Sequence, residues 1–428
     1  MRQFLLIALL LCLFGQSCNA AAPTKAAPTK KPTMAPTGIP VVNATIINGA
    51  LTIQGVPNSA TVPMTSSGIQ AVIDGYFPKN NYKTTQANVA RKVWLNGTSA
   101  TLSYLTITGD FVADVPISLP SQFILVLKKA TITASPPLFS SPANSALLAT
   151  RGNSIINMKS ATFSGVVSPG GPSEAVISCK NYPANANTPG IYPYPNVPSP
   201  AGTLSSTGPD GISAIGSNNV IIDGITVDSC GLTSGNFNFF NVKVAELTNS
   251  VSIGGGVRGI WVIIASNVAV SYNLVTTSVK FGIDLDASSG PWTLVHSNTF
   301  TNNGYQAVFI EQGTEYGIIT NNILGPGNQN GVSFFNNIYP ELVNDHIINS
   351  NKMFGNTGAG LNVGSISCTA ITLPSAKVFC PVIVGFWPST DSYIIGNSMW
   401  GNRKGGQGSN GNALGFYYSH NYDTQVNP

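Results

Sequence analysis

The stretch GIWVI at residues 259–263 is followed by three similar ones: GIDLD at 282–286, AVFIE at 307–311 and GVSFF at 331–335. Successive copies begin 23, 25 and 24 residues apart. A β-rich unit that recurs with a period in the twenties is typical of a solenoid, in which each coil buries its apolar side only against its neighbours. This repeat predicts an all-β protein whose single core grows by the stacking of coils.

A column of asparagines supports the same period. Asn273, Asn298 and Asn322 each follow a short β-rich run and lie 25 and 24 residues apart, and Asn351 and Asn397 continue the series. Buried amides need hydrogen-bond partners. We therefore interpret the series as a hydrogen-bonded ladder at the bends of successive coils rather than as a binding stripe.

The first 40 residues are expected to lie outside the folded part. Residues 1–20 combine the early positive charge of Arg2 with an apolar run and small residues before Ala21, which is the pattern of a secretory signal peptide. Residues 21–40 repeat Ala-Pro-Thr and predict an extended Pro/Thr-rich stalk. No later stretch is apolar for long enough to span a membrane. We expect a secreted protein, extracellular or held in a cell wall, without a membrane span.

Residues 41–428 are predicted to form one β-helix domain with two loop excursions, at about 178–208 and 364–391. The net charge of +4 comes from four basic residues among the first 40, so the folded part is close to neutral. A near-neutral domain argues against nucleic acid as a partner. We expect a monomer. The sequons at Asn43 and Asn96 predict N-glycosylation in a eukaryotic secretory pathway.

Four cysteines remain after residue 20, and in a secreted protein they allow three disulfide pairings. Cys368 and Cys380 bracket a proline-containing excursion, which favours that pair. By elimination, Cys179 would then pair with Cys230. The spacing of the four cysteines is not that of a metal site.

Two further segments resemble a known superfamily. PISLPSQFILVLKKATI at residues 116–132 is similar to the entry strand, and GPDGISAIGSNNVIIDGITV at 208–227 to a coil, of pectin lyase-like right-handed parallel β-helix proteins. The resemblance covers roughly residues 100–410 by repeat pattern. It implies a single-stranded right-handed parallel β-helix. Members include pectate and alginate lyases, polygalacturonases, uronan epimerases and non-catalytic wall or adhesion proteins.

The resemblance does not extend to the catalytic motifs of those enzymes. Of the polygalacturonase motifs, only Asp210 within Gly-Pro-Asp-Gly matches, and no Asp-Asp or Gly-His-Gly follows it. The Asp-Pro-His-containing motif of mannuronan epimerases is absent too. The superfamily therefore implies a fold and a polysaccharide partner more strongly than it implies an activity.

Strand alternation brings acidic residues of successive coils together. If Ile283, Leu285 and Ile310 point into the core, period two directs the residues between them outward. Two outward columns are then expected to be exposed: Trp261, Asp284, Phe309 and Ser333 in one, and Ile263, Asp286, Glu311 and Phe335 in the other. Neighbouring coils lie ~4.8 Å apart. The carboxyl groups of Asp284, Asp286 and Glu311 are therefore predicted to meet.

Three close carboxylates cannot all ionise cheaply, so one retains a proton or a hard cation such as calcium neutralises them. The first state suits a general acid in glycoside hydrolysis, and the second suits calcium-assisted β-elimination on a uronate. The expected helpers at the edge of the patch are Lys280, Arg258 and Tyr305. Residues that could contact the sugar are Trp261, Phe309 and His296.

Two hypotheses follow from these residues. The first is a secreted protein that binds an acidic polysaccharide of the extracellular matrix or cell wall and cleaves it, as a lyase or a glycoside hydrolase. The second is a non-catalytic wall, surface or adhesion protein that displays a rigid β-helix on a stalk. In the second, the acidic residues only form local ion pairs, which also perturb carboxyl groups.

Overall fold

The fold is taken from a computed structural model of the full chain. The structure describes residues 43–55, 60–77, 103–120, 123–135, 154–159, 165–169, 175–180, 209–217, 219–231, 235–286, 290, 292–311, 314–336, 343–344, 346–365, 389–390, 392–400, 402, 407–410, 416–419 and 422–424. The predictions that lie outside these residues are the signal peptide 1–20, the stalk 21–40, the Cys368–Cys380 pair, Asn96 and most of the excursions 178–208 and 364–391.

Three long sheets, here named A, B and C, contain nearly all the described strands, which are numbered in chain order. Sheet A has 13 strands: β1 Asn43–Ile47, β2 Ala50–Ile53, β3 Ser103–Thr108, β6 Phe123–Lys128, β9 Gly165–Pro169, β12 Asn219–Asp223, β15 Val244–Thr248, β18 Val268–Ser271, β21 Thr293–His296, β24 Gly317–Thr320, β28 Ile347–Asn349, β32 Ser392–Ile395 and β35 Phe416–Ser419. Sheet B has 11 strands: β4 Phe111–Ala113, β7 Ala130–Ala134, β10 Ala175–Ser178, β13 Ile225–Asp228, β16 Val251–Ile253, β19 Leu274–Thr276, β22 Thr299–Thr301, β25 Ile323–Leu324, β29 Lys352–Phe354, β33 Ser398–Trp400 and β36 Tyr422–Thr424. Sheet C has 10 strands: β5 Ile117–Ser118, β8 Ile156–Lys159, β11 Ile212–Ile215, β14 Gly235–Phe240, β17 Arg258–Ile263, β20 Phe281–Asp286, β23 Gln306–Glu311, β26 Asn330–Asn336, β30 Leu361–Ser365 and β34 Gln407–Asn410. A separate pair joins β27 Val343–Asn344 to β31 Ser389–Thr390.

The chain visits the three sheets in turn, so that one coil contributes one strand to each. Thus β17 in sheet C leads to β18 in sheet A, β19 in sheet B and then β20, back in sheet C beside β17. Among the described strands every long-sheet pairing is parallel except that of β1 with β2. This is the parallel β-helix that the repeat predicted, and the all-β fold class is confirmed.

The register of sheet C is the one read from the sequence. Ile260 pairs with Ile283, Ile283 with Val308, and Val308 with Val332. All four side chains are fully buried. Because β-branched and other aliphatic side chains stack on their own kind at every coil, a continuous core runs along the molecule.

Two asparagine ladders brace the bends between the sheets. The predicted ladder is confirmed: the backbone N–H of Asn273, Asn298, Asn322 and Asn351 each donates to the side-chain oxygen of the next asparagine, at 2.9 Å throughout. A second ladder, which was not predicted, follows sheet B and is formed by Asn303, Asn328, Asn356 and Asn402. Each ladder satisfies backbone groups that a bend would otherwise leave buried without partners.

One described helix, α1 (Ser66–Tyr76), was not predicted. It starts at Thr65, whose side chain accepts the Gly68 N–H. Ile69, Val72 and Ile73 are buried, and the helix packs against β4 and β5, the first strands of sheets B and C. A terminal coil has an open core on one side, and α1 covers part of it.

The predicted pairing of Cys179 with Cys230 is confirmed by a disulfide that joins coils 51 residues apart in sequence. Asn43, the described sequon, is exposed on β1, where its amide donates to Gln54 Oε1 at 2.8 Å. No helix in the described ranges is both long and apolar enough to cross a membrane.

Candidate functional site

The three acidic residues singled out from the repeat lie together on sheet C. Asp284 and Asp286 lie two residues apart on β20, and Glu311 ends the neighbouring strand β23. Because Leu285 pairs with Ile310, Asp286 and Glu311 are side by side on successive coils. One carboxylate oxygen from each of the three residues lies within 4.8 Å of the other two. We call this group the acid cluster.

The facing of these residues was predicted correctly, but their exposure was not. Ile283 and Leu285 point into the core, as expected, and the acid cluster lies on the opposite face of the sheet. That face is itself buried: the exposed fraction is 0% for Asp284, 5% for Asp286 and 6% for Glu311. Trp261, Phe309, Ser333 and Ile263 of the predicted exposed columns are also buried. The prediction that these columns reach solvent is therefore wrong.

Arg258 is the main counterion of the acid cluster. Its Nε donates to Asp284 Oδ2, and its Nη2 lies 3.8 Å from Asp286 Oδ2. The guanidinium carbon lies 4.2 Å from the centroid of the Trp261 ring. The Trp261 indole N–H in turn donates to Asp286 Oδ2 at 3.1 Å. One cation and one indole thus hold two of the three carboxyl groups in place, with charge-assisted bonds of the stronger kind.

Strict alternation does not account for the position of Arg258. It has the same parity along β17 as the inward Ile260, yet its side chain contacts the outward Asp284. Gly259 lies between Arg258 and Ile260. A Cβ added at Gly259 would lie 2.8 Å from the Gly282 carbonyl oxygen and 2.4 Å from Val275 Cγ1. The close approach of coils at this glycine interrupts the period of two, so the side chain before it can turn to the outer face.

Aromatic rings adjoin the acid cluster. Phe281 and Phe309 stack with centroids 4.5 Å apart and planes 14° from parallel. Phe281 also lies 5.8 Å from the guanidinium carbon of Arg258 and 6.2 Å from the Tyr305 ring. The contribution of Phe281 was missed, although its place directly before Gly282, like that of Arg258 before Gly259, could have indicated it.

Lys280 and Tyr305 lie at the entrance edge of the same two strands, as predicted. The Tyr305 backbone N–H donates to the Lys280 carbonyl at 2.7 Å, and both side chains are half-buried. Burial, reinforced by the positive charge of Arg258, lowers the pKa of Lys280, while Glu311 acts in the opposite direction. Burial raises the pKa of the Tyr305 hydroxyl.

Asp284 is the carboxyl group best placed to hold a proton. Burial, aided by the nearby charge of Asp286, raises its pKa to about 7, although Arg258 opposes the shift. Charge counting gives the same result, since three carboxylates face two cations, Arg258 and Lys280, in a buried site. One proton makes the group neutral, and the most deeply buried acid gains most from taking it.

Three buried polar atoms in the column of Asp284 lack hydrogen-bond partners among the described residues. They are Asn238 Oδ1, Asp284 Oδ1 and Ser333 Oγ, which lie in one register through Trp261 and Phe309. A buried polar atom without a partner costs about 1–3 kcal/mol, and such atoms are few in folded proteins.

Calcium was predicted as an alternative occupant of the acid cluster. The three carboxyl groups are the oxygen donors that calcium prefers, but the ion needs six to eight such ligands. Arg258 already contacts Asp284 and approaches Asp286, so its guanidinium occupies the cation position at two of the three donors. This donor set suits a proton and an arginine better than a calcium ion.

Neither described histidine joins the acid cluster. His296 lies on sheet A, with its Nε2 3.0 Å from Ser297 Oγ and its ring 5.7 Å from that of Tyr272. His346 is fully buried between the Gly317 N–H, which donates to its Nδ1, and the Thr314 carbonyl, which accepts from its Nε2. Burial lowers the pKa of His346 to about 4, so it is a neutral structural residue.

Comparisons with known proteins agree with this fold. Residues 202–324 match a protein family described as the right handed beta helix region. The resemblance to right-handed parallel β-helix proteins is thereby confirmed at the level of the fold. No curated protein matches the chain.

Several solved structures are similar to this chain. The mannuronan C-5 epimerase A-module of Azotobacter vinelandii is 11% identical, with 84% of this chain and 93% of that chain covered and a TM-score of 0.44. The family 28 exopolygalacturonase of Yersinia enterocolitica is 11% identical, with 88% and 83% covered and a TM-score of 0.46. A periplasmic alginate epimerase is 10% identical, with 74% and 77% covered and a TM-score of 0.42. Similarity at this level assigns no activity to the chain.

Proposed function

We propose that this protein binds an acidic polysaccharide along the outer face of sheet C and hydrolyses it at the acid cluster. The observation that carries the proposal is the meeting of Asp284, Asp286 and Glu311 within 4.8 Å beside one arginine. Glycoside hydrolysis needs one protonated and one ionised carboxyl group on either side of a glycosidic bond. The acid cluster supplies both kinds.

The surroundings of each carboxyl group support different roles for them. Asp284, whose pKa is raised to about 7, is the general acid that protonates the leaving oxygen. Asp286 accepts the Trp261 N–H and lies near Arg258, and both contacts favour its ionised form. Glu311 is the second ionised group, next to the positive charge of Lys280. Carboxylate oxygens of the acid cluster lie within 4.8 Å of one another, which is less than the roughly 6.5–9.5 Å that inverting enzymes leave for a water molecule, so we assign an ionised carboxylate, Asp286 or Glu311, as the nucleophile.

The choice of an acidic substrate rests on Lys280 at the entrance edge of the site. Its half-buried side chain offers positive charge to a sugar carboxylate, whereas the guanidinium of Arg258 is already held by Asp284 and Asp286. The stacked Phe281 and Phe309 rings offer an apolar face to a sugar ring. Asp284 Oδ1 and Ser333 Oγ are the buried atoms that sugar hydroxyls would satisfy.

A second candidate is a non-catalytic extracellular protein, and the burial of the acid cluster favours it. A polysaccharide reaches Asp284 only if the outer face of sheet C opens, because this side chain is fully buried. In this alternative Arg258 and the carboxylates form an internal ion network that fixes the stacking of coils. Such networks are retained in proteins without any catalytic role.

The two candidates are separated by incubating the purified protein with polygalacturonate, pectate or alginate, in calcium and in chelator. Reducing ends and the ultraviolet absorbance of unsaturated products are followed separately. We expect reducing ends without absorbance, loss of at least 100-fold in Asp284→Asn, and no change in chelator. The matched control is Asp223→Asn, which removes a half-buried carboxyl group of sheet A.

Other outcomes have distinct meanings. Ultraviolet absorbance that grows only with calcium would indicate β-elimination instead of hydrolysis. The candidate base would then be Lys280, whose pKa is lowered. If no substrate is cleaved and Asp284→Asn binds polysaccharide as the parent does, the non-catalytic candidate is left. The secretory signal, the stalk and the monomeric state are further parts of the proposal, and N-terminal sequencing of the secreted protein and its sedimentation test them.

A further inference from the structure

Two aromatic side chains lie exposed on sheet A, away from the acid cluster. Trp292 is 59% and Tyr316 41% exposed, and their ring centroids are 6.0 Å apart with planes tilted by 32°. They occupy equivalent places on successive coils, directly before β21 and β24, whose first residues pair in register. The rings therefore form a continuous platform across two coils.

The backbone at these aromatics is strained. The φ angle is +67° at Trp292 and +53° at Tyr316, and it is +57° at Tyr272, which is 61% exposed. Most other non-glycine residues with positive φ in the described chain are Asn, Ser or Thr. A bulky residue in this region is energetically unfavourable, and a ring that points into solvent recovers little of that cost by packing. Folding therefore does not account for aromatic residues at these positions.

The strands beside the platform add an apolar and a polar column. Leu294 pairs with Ile318, and His296 with Thr320, all four on the outer face and half-buried. Tyr272 closes the far side, with its ring 5.7 Å from that of His296. A sugar ring has an apolar face of C–H groups and an edge of hydroxyls. The column of Leu294 and Ile318 matches the apolar face, and the column of His296 and Thr320 matches the hydroxyl edge.

The charge of the face narrows the class of ligand. The strands β18, β21, β24 and β28 contain no Asp, Glu, Lys or Arg. An acidic polysaccharide or an anionic membrane surface would find no cation on these strands, and Glu315, exposed directly before Tyr316, would repel it. A protein partner would be expected to cover a contiguous apolar core rather than alternating apolar and hydrogen-bonding columns. Exposed apolar area rimmed by polar groups remains the mark of a binding surface.

We propose that this face of sheet A is a second carbohydrate-binding surface, which takes an uncharged polysaccharide. Sugar rings stack on Trp292 and Tyr316, and His296 and Thr320 hydrogen-bond their hydroxyls. The chain of sugars runs along the stacking axis of the coils, because both columns and the platform do. The surface is separate from the acid cluster on sheet C and does not depend on the function proposed for that cluster.

The test is affinity electrophoresis of the full-length protein in gels that contain hydroxyethyl cellulose, xyloglucan or galactomannan. The polysaccharide that retards the protein is then titrated into it while the intrinsic protein fluorescence is followed. We expect retardation that persists in high salt, since no ion pairs are involved. Trp292→Ala and Tyr316→Ala should each weaken binding about tenfold, or ~1.4 kcal/mol. The matched control is Leu274→Ala, which removes an apolar side chain of 39% exposure from sheet B.

A further variant separates binding from folding. Trp292→Asn places a residue that tolerates positive φ at the strained position, so it should lose the binding without lowering the unfolding temperature. Asp284→Asn should bind the uncharged polysaccharides as the parent protein does, even if all cleavage is lost. Three results would each overturn the proposal: no retardation in any of the three gels, unchanged binding in both aromatic variants, or a concentration-dependent self-association that Trp292→Ala abolishes.

Discussion

Replacing Asn298 by Ala tests whether the asparagine ladder stabilises the coil stack. The Asn298 side chain accepts the backbone N–H and the Nδ2 of Asn273, both at 2.9 Å. It donates to the Val270 carbonyl at 2.8 Å and to Asn322 Oδ1 at 3.0 Å. Four buried hydrogen bonds are therefore lost with one side chain.

The cost can be worked out from what each partner retains. Asn273 Nδ2 still reaches the Leu247 carbonyl, and Asn322 Oδ1 still accepts the Asn298 N–H. The Asn273 N–H keeps no partner, which costs about 1–3 kcal/mol, and each of the other lost bonds costs about 1 kcal/mol. We expect a loss of about 4–6 kcal/mol, a large share of the roughly 5–15 kcal/mol that stabilises a typical domain.

Denaturant unfolding followed by circular dichroism measures this loss, with Asn43→Ala as the matched control. The Asn43 amide makes one exposed hydrogen bond, to Gln54, so its removal should cost less than about 0.5 kcal/mol. The double variant with Asn322→Ala should lose less than the sum of the two single variants, because they share a bond. A loss below about 1 kcal/mol in Asn298→Ala, or strict additivity, would refute the reasoning.

Three further predictions concern pH and packing. Stability should fall as the pH drops from 6.5 towards 4 because the folded pKa of His346, about 4, lies below its usual 6.5 and the unfolded chain binds the proton first. Equal slopes in the parent and in His346→Gln, measured by denaturant titration, would contradict this. Asp284 should act in the opposite direction, since its folded pKa of about 7 exceeds the usual 3.8, so stability is lost as the pH rises through that window. Asp284→Asn should flatten that part of the profile, and an unchanged profile would count against a buried proton. Gly282→Ala should lower the unfolding temperature because its Cβ would lie 2.5 Å from the Ala307 carbonyl oxygen, whereas Gly75→Ala in α1 meets nothing within 4 Å and should be neutral or stabilising. Equal effects of the two alanines would show that coil spacing at Gly282 is not limiting.

The fold could be predicted from the sequence because each coil pairs with the next one along the chain. Aligning Ile260, Ile283, Val308 and Val332 needed only a constant period, and the strands pair in that register. The helix α1 could not be predicted in this way, since it is not part of the repeat. The second ladder could have been predicted in the same way, since Ser278, Asn303 and Asn328 lie 25 residues apart, as Asn273 and Asn298 do in the first.

The candidate site could be predicted only in part. The meeting of Asp286 with Glu311 followed from register alone. The turn of Arg258 towards Asp284 did not, because it depends on how closely the coils approach at Gly259, and period two carries no such information. Burial could not be foreseen either, since the exposure of a face depends on chain that is remote in sequence.

That burial changes the chemistry open to the acid cluster. On an exposed surface water weakens the repulsion among three close carboxylates, and a divalent cation from solvent can neutralise them. In a buried site the cost of keeping charge is larger, so an internal cation and a proton compete better than a hydrated ion. Arg258 is the internal cation, and Asp284 holds the proton. Because acid catalysis uses a carboxyl group that keeps its proton near neutral pH, the burial that closes the face also creates the proton donor. If the proposed hydrolysis takes place here, the outer face of sheet C has to open to admit the sugar, because Asp284 is fully buried.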